Sequence, residues 1–308
     1  MFIRKVTQLL IYLAVRSVIC WAQAIAPETA QKFAPVLAWV AHSLLKVRRK
    51  VVEENLCIAY PQLGPQDREQ LALKMWEHLA LLGYEMLMLR RKIHHTNWRD
   101  HIRLVNHVPA LRMLSEGRPV VFVTGHFGNF ELGGYALGLL GVPTWTVARP
   151  IDNPYLDRFI QQLRAATGQR LIPKQGATEW VNRLAAAGEP LAFLADQSAG
   201  PKGCFVEFFG RKASTFKAIA LLALTHQCPL AVCYAIRKPR ILQFELCIAA
   251  VLDPKTISAD WANVPTITQW FTTELEQAIR SCPEQYWWVH RRWKDAPPRE
   301  RKSSAKAA

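Results

Sequence analysis

The chain has 308 residues, half of them hydrophobic and 10% aromatic with 11 Trp, and a formal net charge of +15. That apolar share excludes a disordered chain, and the length allows one large domain or two ordinary ones with a sizeable core. The charge asks for an acidic partner and by itself leaves nucleic acid, an anionic membrane and an acidic protein open.

The charge is concentrated at the ends. Residues 1–50 carry eight Lys/Arg against one acid, and residues 290–308 carry seven against two. The middle, 51–289, has 24 bases and 21 acids. The body is therefore nearly neutral. Residues 297–308, with Pro297-Pro298 and Ser303-Ser304, read as a solvated basic tail.

The first element is the run 6–26, VTQLLIYLAVRSVICWAQAIA, preceded by Arg4 and Lys5 and followed by Lys46, Arg48, Arg49 and Lys50. Its length nearly spans a bilayer, but a mid-run Arg such as Arg16 costs about 2.5–3.5 kcal/mol on insertion scales. Residues 1–27 read first as a marginal membrane anchor or interfacial helix. Second comes a buried helix of the body. Third comes a signal peptide cleaved after Ala22-Gln23-Ala24, which would leave a chain starting near Ile25. The seven Cys are odd in number and show no C-x-x-C, which suits reduced thiols facing the cytoplasm, most of them small core residues.

Residues 28–58 continue with helical periodicity to Tyr60-Pro61. Residues 67–92 place Leu71, Met75, Leu79, Leu82, Met86 and Leu89 at steps of three and four, one face of a long helix. From about residue 102 the pattern alternates between strands and helices. Pro119–Thr124 reads as a buried strand, Asn129–Leu140 as a helix and Thr144–Ala148 as a short strand. Asn153–Ala166 is a helix opened by Asn-Pro, and Ala177–Ala187 one stopped by Gly188. Pro190–Ala195 is a strand, Ser214–His226 a helix, Leu230–Ile236 and Ile241–Ile248 an antiparallel-looking strand pair, and Thr266–Arg280 a last helix. The alternation predicts an α/β fold, a single catalytic domain over 28–296 with a mixed, partly parallel central sheet flanked by helices.

The chemistry concentrates after the buried strand, in Thr124-Gly125-His126-Phe127-Gly128-Asn129-Phe130-Glu131. A strand end followed by Gly, His and Gly is where an α/β protein places reactive groups. Asn129 is a helix cap and puts Glu131 in the first turn. Two side chains five residues apart on one helix point about 140° apart, so a His126–Glu131 contact requires His126 in the preceding loop. A carboxylate on one imidazole nitrogen fixes the tautomer, and the other nitrogen can take a proton from a hydroxyl. The implied reaction is attack of a hydroxyl on an acyl carbonyl without a Ser or Cys intermediate. The plain alternatives are a satisfied core histidine and a solvated first-turn carboxylate.

The string GHFGNFE resembles the H-x4-D/E box of glycerolipid-type acyltransferases, and in particular the late acyltransferases of lipid A biosynthesis, the lauroyl/myristoyl group. Phe130 stands where that group usually has Trp. Arg48-Arg49 with Asn55-Leu56 and Tyr60-Pro61, Arg149-Pro150 with Asp152-Asn153-Pro154, Leu194-Ala195-Asp196-Gln197 with Phe205–Gly210, and Pro283–Lys294 are similar to further blocks of the group. The likeness runs from about residue 40 to 295.

The resemblance implies an enzyme on the cytoplasmic face of the bacterial inner membrane. It would move a fatty acyl chain from acyl carrier protein to a hydroxyl of a lipid A precursor. His126 would be the general base and Glu131 its partner, with Arg149, Asp196 and Asn129 on the substrate side. Asp196 could equally be a strand-end carboxylate capping a turn, and Arg149 a surface ion pair. A phosphorylated glycolipid acceptor explains Arg near the pair. Arg211, Lys212 and Lys217 are candidates for steering an acidic carrier, and the apolar helix 129–140 for walling an acyl channel.

No cofactor and no metal are required: His94, His95, His101 and His107 fit no standard zinc spacing. The same chemistry could serve another glycolipid, a lysophospholipid or an aminolipid, and a non-enzymatic lipid- or carrier-binding protein is the other class. Nucleic acid is disfavoured by the neutral middle and the lack of a reading motif. There is no G-x-S-x-G, the nearest string being Asp196-Gln-Ser-Ala-Gly200, no phosphate loop and no dinucleotide fingerprint.

Overall fold

The structure is a computed structural model that describes residues 2–296. The basic tail expected over 297–308 lies outside the described residues.

The N-terminal third is helical: α1 (Phe2–Ala24), α2 (Pro27–Trp39), α3 (Arg49–Ala59) and α4 (Pro65–Lys92). Strand β1 (Ile102–Val105) and α5 (Val108–Ser115) lead to β2 (Val121–Thr124) and α6 (Phe130–Leu139). Then come β3 (Trp145–Ala148), α7 (Pro154–Arg164), β4 (Arg170–Pro173), α8 (Ala177–Ala186) and β5 (Leu191–Leu194). A hairpin, β6 (Cys204–Phe208) and β7 (Arg211–Thr215), precedes α9 (Ala218–His226). Strands β8 (Leu230–Arg237) and β9 (Phe244–Leu252) and helix α10 (Val264–Ser281) complete the body.

Seven strands form one sheet in the order β1-β9-β8-β2-β5-β3-β4, parallel throughout except for the antiparallel β8–β9 pair. The expected α/β class and mixed sheet are therefore present. β2 is central and buried on both faces, as its unbroken apolar run demands. Val121 and Val123 pack with Leu191, Leu230 and Ile219, Phe271 of α9 and α10. Phe122 points the other way, onto Ala192, Cys233 and Met113 of α5. Each such fully buried side chain contributes roughly 1.5–3 kcal/mol.

Local signals set several boundaries. Asn153 accepts from Tyr155 N and Leu156 N to open α7, and Asn263 accepts from Thr266 N to open α10, each followed by a Pro-bearing first turn. Other expectations are corrected. The stretch 28–58 is not one helix: α2 runs into a π-helical turn, Val40–Leu44, and Lys46 and Arg48 adopt left-handed backbone before α3. Two tertiary contacts pull it apart, α2 onto α4 and Asn55 of α3 onto the carbonyls of Trp288 and His290. Ser214 and Thr215 belong to β7, because the hairpin's ladder extends to the Cys204–Thr215 pair. The strands β1 and β4 are only four residues long, too short for a periodic pattern to stand out in the sequence.

Helix α1 is long and apolar enough to cross a membrane, and little of it is buried. It is nevertheless docked along the body. Its Gln8 carbonyl accepts from Asn153 Nδ2 at 2.8 Å, Gln23 Nε2 donates to Leu87 O at 2.9 Å, and the Arg16 guanidinium sits 4.6 Å over the Phe159 ring. Gln8 and Gln23 are separated by roughly 22 Å of helix. The outer face leaves Val18 67% and Trp21 74% exposed, and it continues into Phe33, Leu37 and Trp39 of α2 and Leu44 and Leu45 beyond.

Candidate active site

The site forms where β2 and β5 end side by side. Their parallel register pairs Thr124 with Leu194, so the segments leaving the sheet, Gly125-His126 and Ala195-Asp196, emerge as neighbours. Both Asp196 oxygens then engage His126: Oδ1 lies 2.8 Å from Nδ1, and Oδ2 accepts the His126 backbone N–H at 2.9 Å. Gly125 makes the approach possible, since a Cβ there would stand 3.2 Å from Asp196 Cβ and Cγ.

The electrostatics suit a base. Burial would raise the Asp196 carboxyl, but the His126 charge and the two hydrogen bonds from His126 hold it down to about 2. Asp196 is thus a carboxylate at neutral pH, and it places the imidazole proton on Nδ1. Nε2 is the ring nitrogen that Asp196 leaves free. Gln197 Nε2 lies 3.4 Å from it and 3.3 Å from His290 Nε2. Burial, then the neighbouring His126, push His290 down to about 4, so it is neutral near pH 7. The rings of Phe130, Trp287 and His290 sit around His126 at centroid distances of 5.0, 5.2 and 4.9 Å. The His126 side chain keeps 14% exposure, which is an opening for a reactant.

The expected His126–Glu131 contact is corrected: the carboxylate on the imidazole is Asp196. Glu131 stands in the first turn of α6 and turns toward α7, where Arg164 grips it with Nε at 3.1 Å and Nη2 at 2.6 Å. The divergence of positions five apart, which a helix imposes, is not undone by the loop. Glu131 and Arg164 line a small pocket with Met86, Leu89, Tyr135 and Leu163. Asn129 is corrected as a substrate-side residue. It is fully buried, with Oδ1 capping Leu132 N and Nδ2 donating to Glu85, so its side chain is spent on the fold rather than presented to a substrate. Arg149 is a surface side chain 3.4 Å from Asp152. Lys212 and Lys217 are exposed and Arg211 is half-buried. Helix α6 packs Leu132, Tyr135 and Leu139 into the core against α4. Among the described residues no group of three or more His, Cys, Asp or Glu could hold a metal ion.

Three supports escaped sequence reasoning. The C-terminal segment closes the loop from outside: Gly128 N donates to Gln285 O at 2.9 Å and Trp287 N to His126 O at 3.0 Å. Arg292, buried at 2% exposure, donates to Ser214 O and Thr215 Oγ1 and ties this segment to the hairpin. Under the loop runs a buried polar chain. Arg237 donates to both Glu85 oxygens at 2.6 and 2.7 Å and to His78 Nδ1 at 2.8 Å. His78, pushed well below its ordinary value by burial and then by Arg237, is neutral, and its Nε2–H donates to Gly128 O at 3.2 Å. The Trp- and Arg-rich string 283–294 was the only sequence signal for any of these.

Gly128 is the tightest point of the loop. Its φ is +60°, and a Cβ would lie 2.0 Å from Ala235 O. Gly128→Ala is therefore expected to cost on the order of 3 kcal/mol or more, combining left-handed strain with a clash against backbone. Chemical denaturation checks this, and a loss below about 1 kcal/mol would mean that the loop relaxes freely.

The model of the family described as bacterial lipid A biosynthesis acyltransferase matches residues 3–295. The chain is 26% identical to the lipid A biosynthesis lauroyltransferase of Escherichia coli K12 over 267 residues, covering 85% of this chain and 84% of the relative. It is 26% identical to the palmitoleoyltransferase of the same organism over 262 residues, covering 84% and 82%. Its identity to the myristoyltransferase of that organism is 22% over 280 residues, covering 86% and 82%.

Proposed function

The chain belongs to the bacterial lipid A biosynthesis acyltransferase family and is an acyltransferase acting in lipid A formation, and from that premise we propose that it moves a fatty acyl chain from acyl carrier protein to a hydroxyl of a lipid A precursor, with His126 as general base and Asp196 as the carboxylate that orients it. The observation that carries this reading is the Asp196 clamp on His126 Nδ1, which leaves Nε2 as the ring nitrogen not held by the carboxylate, in a ring-lined opening.

In the reaction, Nε2 takes the proton of the acceptor hydroxyl as its oxygen attacks the thioester carbonyl. The C–S bond of the tetrahedral intermediate then breaks, and the imidazolium returns the proton to the departing thiolate. Asp196 stabilises the imidazolium between these steps, as an ionised and buried carboxylate should. Glu131 has no place in the proton transfer and braces α6 against α7 through Arg164.

The membrane supplies the acceptor. The apolar outer face of α1 and α2 supports a helix pair lying in the interface on the cytoplasmic side of the inner membrane, with the flanking cations toward anionic headgroups. All seven cysteines are unpaired, which suits that compartment.

The lipid mass spectrum of a strain lacking this protein tests the reading. We expect lipid A to lose one acyl mass, restored by the wild-type chain and not by His126→Ala. Lipid A that keeps every acyl chain would refute the acceptor, and the altered lipid class would then identify the true one.

A further inference from the structure

A second cleft lies beside the C-terminal segment, at Arg291. It is open and lined by Lys46, Arg48, Arg49, Lys50 and Arg291 with Val51. No acidic side chain lines it. Arg49 pairs with Glu69 at 3.0 Å, and Arg48 donates to Val289 O at 2.9 Å. Among the described residues, the side chains of Lys46, Lys50 and Arg291 make no hydrogen bond or ion pair. The left-handed backbone at Lys46 and Arg48 turns the chain so that these cations face one another. Such a group repels itself unless an anion completes it.

The cleft shares a wall with the site above. Val289, held by Arg48, and Arg291 flank His290, whose ring lies 4.9 Å from that of His126. The chain entering the cleft at Lys46 is apolar: Leu44 and Leu45 are 62% and 65% exposed, continuing the bare face of Phe33, Leu37 and Trp39. A small free anion has no use for that apolar surface. A phosphorylated amphiphile needs both halves, cations for its head and an apolar surface beside its chains.

We propose that this cleft binds a phosphate group of the phosphorylated lipid acceptor and so holds its sugar hydroxyls toward His126. This rests on the reading of acyl transfer to a phosphorylated glycolipid. Arg48 and Arg291 offer the planar donors suited to phosphate, and the two lysines add charge.

The test uses the full chain in detergent micelles and the double variant Lys50→Gln/Arg291→Gln, two exposed positions whose side chains hold nothing in the fold. Turnover is measured on the phosphorylated acceptor and on the same lipid after phosphatase treatment. The ratio of the two kcat/KM values is expected to fall about tenfold or more in the variant, as the loss of charge-assisted contacts to one group requires. An unchanged ratio overturns the proposal. So does a raised KM for the acyl donor with the ratio intact, which would give the cleft to the carrier protein. Retention of the phosphorylated lipid by immobilised protein is read in parallel. If the wild type retains it better than the variant without turning it over, the acyl-transfer reading fails and the cleft stands. Equal retention removes the cleft.

Discussion

Asp196→Asn lowers kcat by roughly 10²–10⁴-fold while the protein stays folded, as expected when a base is held in the wrong tautomer. An Asn at this position can still accept the His126 backbone N–H through Oδ1, which preserves the loop. Its amide then faces Nδ1, now 2.8 Å from Asp196 Oδ1, with a donor in place of an acceptor. The imidazole proton must move to Nε2, and the base is lost. Steady-state kinetics reads the first effect, and ¹⁵N spectra of the His126 ring read the second. Glu131→Gln makes the contrast: it weakens the Arg164 pair and leaves the His126 ring spectrum as in the wild type. A ring signal that changes with Glu131→Gln and not with Asp196→Asn would return the orienting role to Glu131.

Arg237→Ala is expected to be the most destabilising exchange, at about 3–5 kcal/mol, because it leaves a buried charge without its partner. Glu85 has no exposure, and both its oxygens are bound by Arg237. The same exchange frees His78 Nδ1 and loosens the anchor of Gly128 and Asn129, so turnover falls with stability. Denaturant midpoints measure the loss. The double exchange Arg237→Met/Glu85→Leu, which removes both charges, should recover part of it. The recovery is incomplete, since Asn129 Nδ2 then lacks its acceptor. A single exchange costing under 1 kcal/mol would show that water reaches Glu85 and that the chain under the loop does not brace it.

The near-neutral body with basic ends was legible from composition, and so was the region of the site. The run Val121–Thr124 is apolar enough to be a strand buried on both faces, and Gly-His-Phe-Gly-Asn supplies a tight turn and a cap at its end. These are properties of neighbouring residues: side-chain apolarity, the room a glycine leaves, and an amide that satisfies a free helix N–H. The Asp-Gln pair after β5 was visible too, as another strand end. For the same reason the helix opening at Asn153 followed from two or three adjacent residues.

Which carboxylate serves His126 was not encoded in that way. Glu131 is five residues off and turns away with its helix, while Asp196 is 70 residues off and arrives because β5 lies beside β2 in register. Glu85 and Arg237 are likewise 152 residues apart, and each alone reads as a polar residue in an amphipathic element. The cleft of Lys46 to Lys50 and Arg291 joins two ends of the chain that composition had recorded only as separate basic segments. The sequence determined the elements, the turn and the residue types available for proton transfer, since those follow from local sterics and hydrophobicity. The tertiary structure alone decided the pairing of charges, because an ion pair depends on distances of a few ångströms, and strand order rather than spacing along the chain sets those distances.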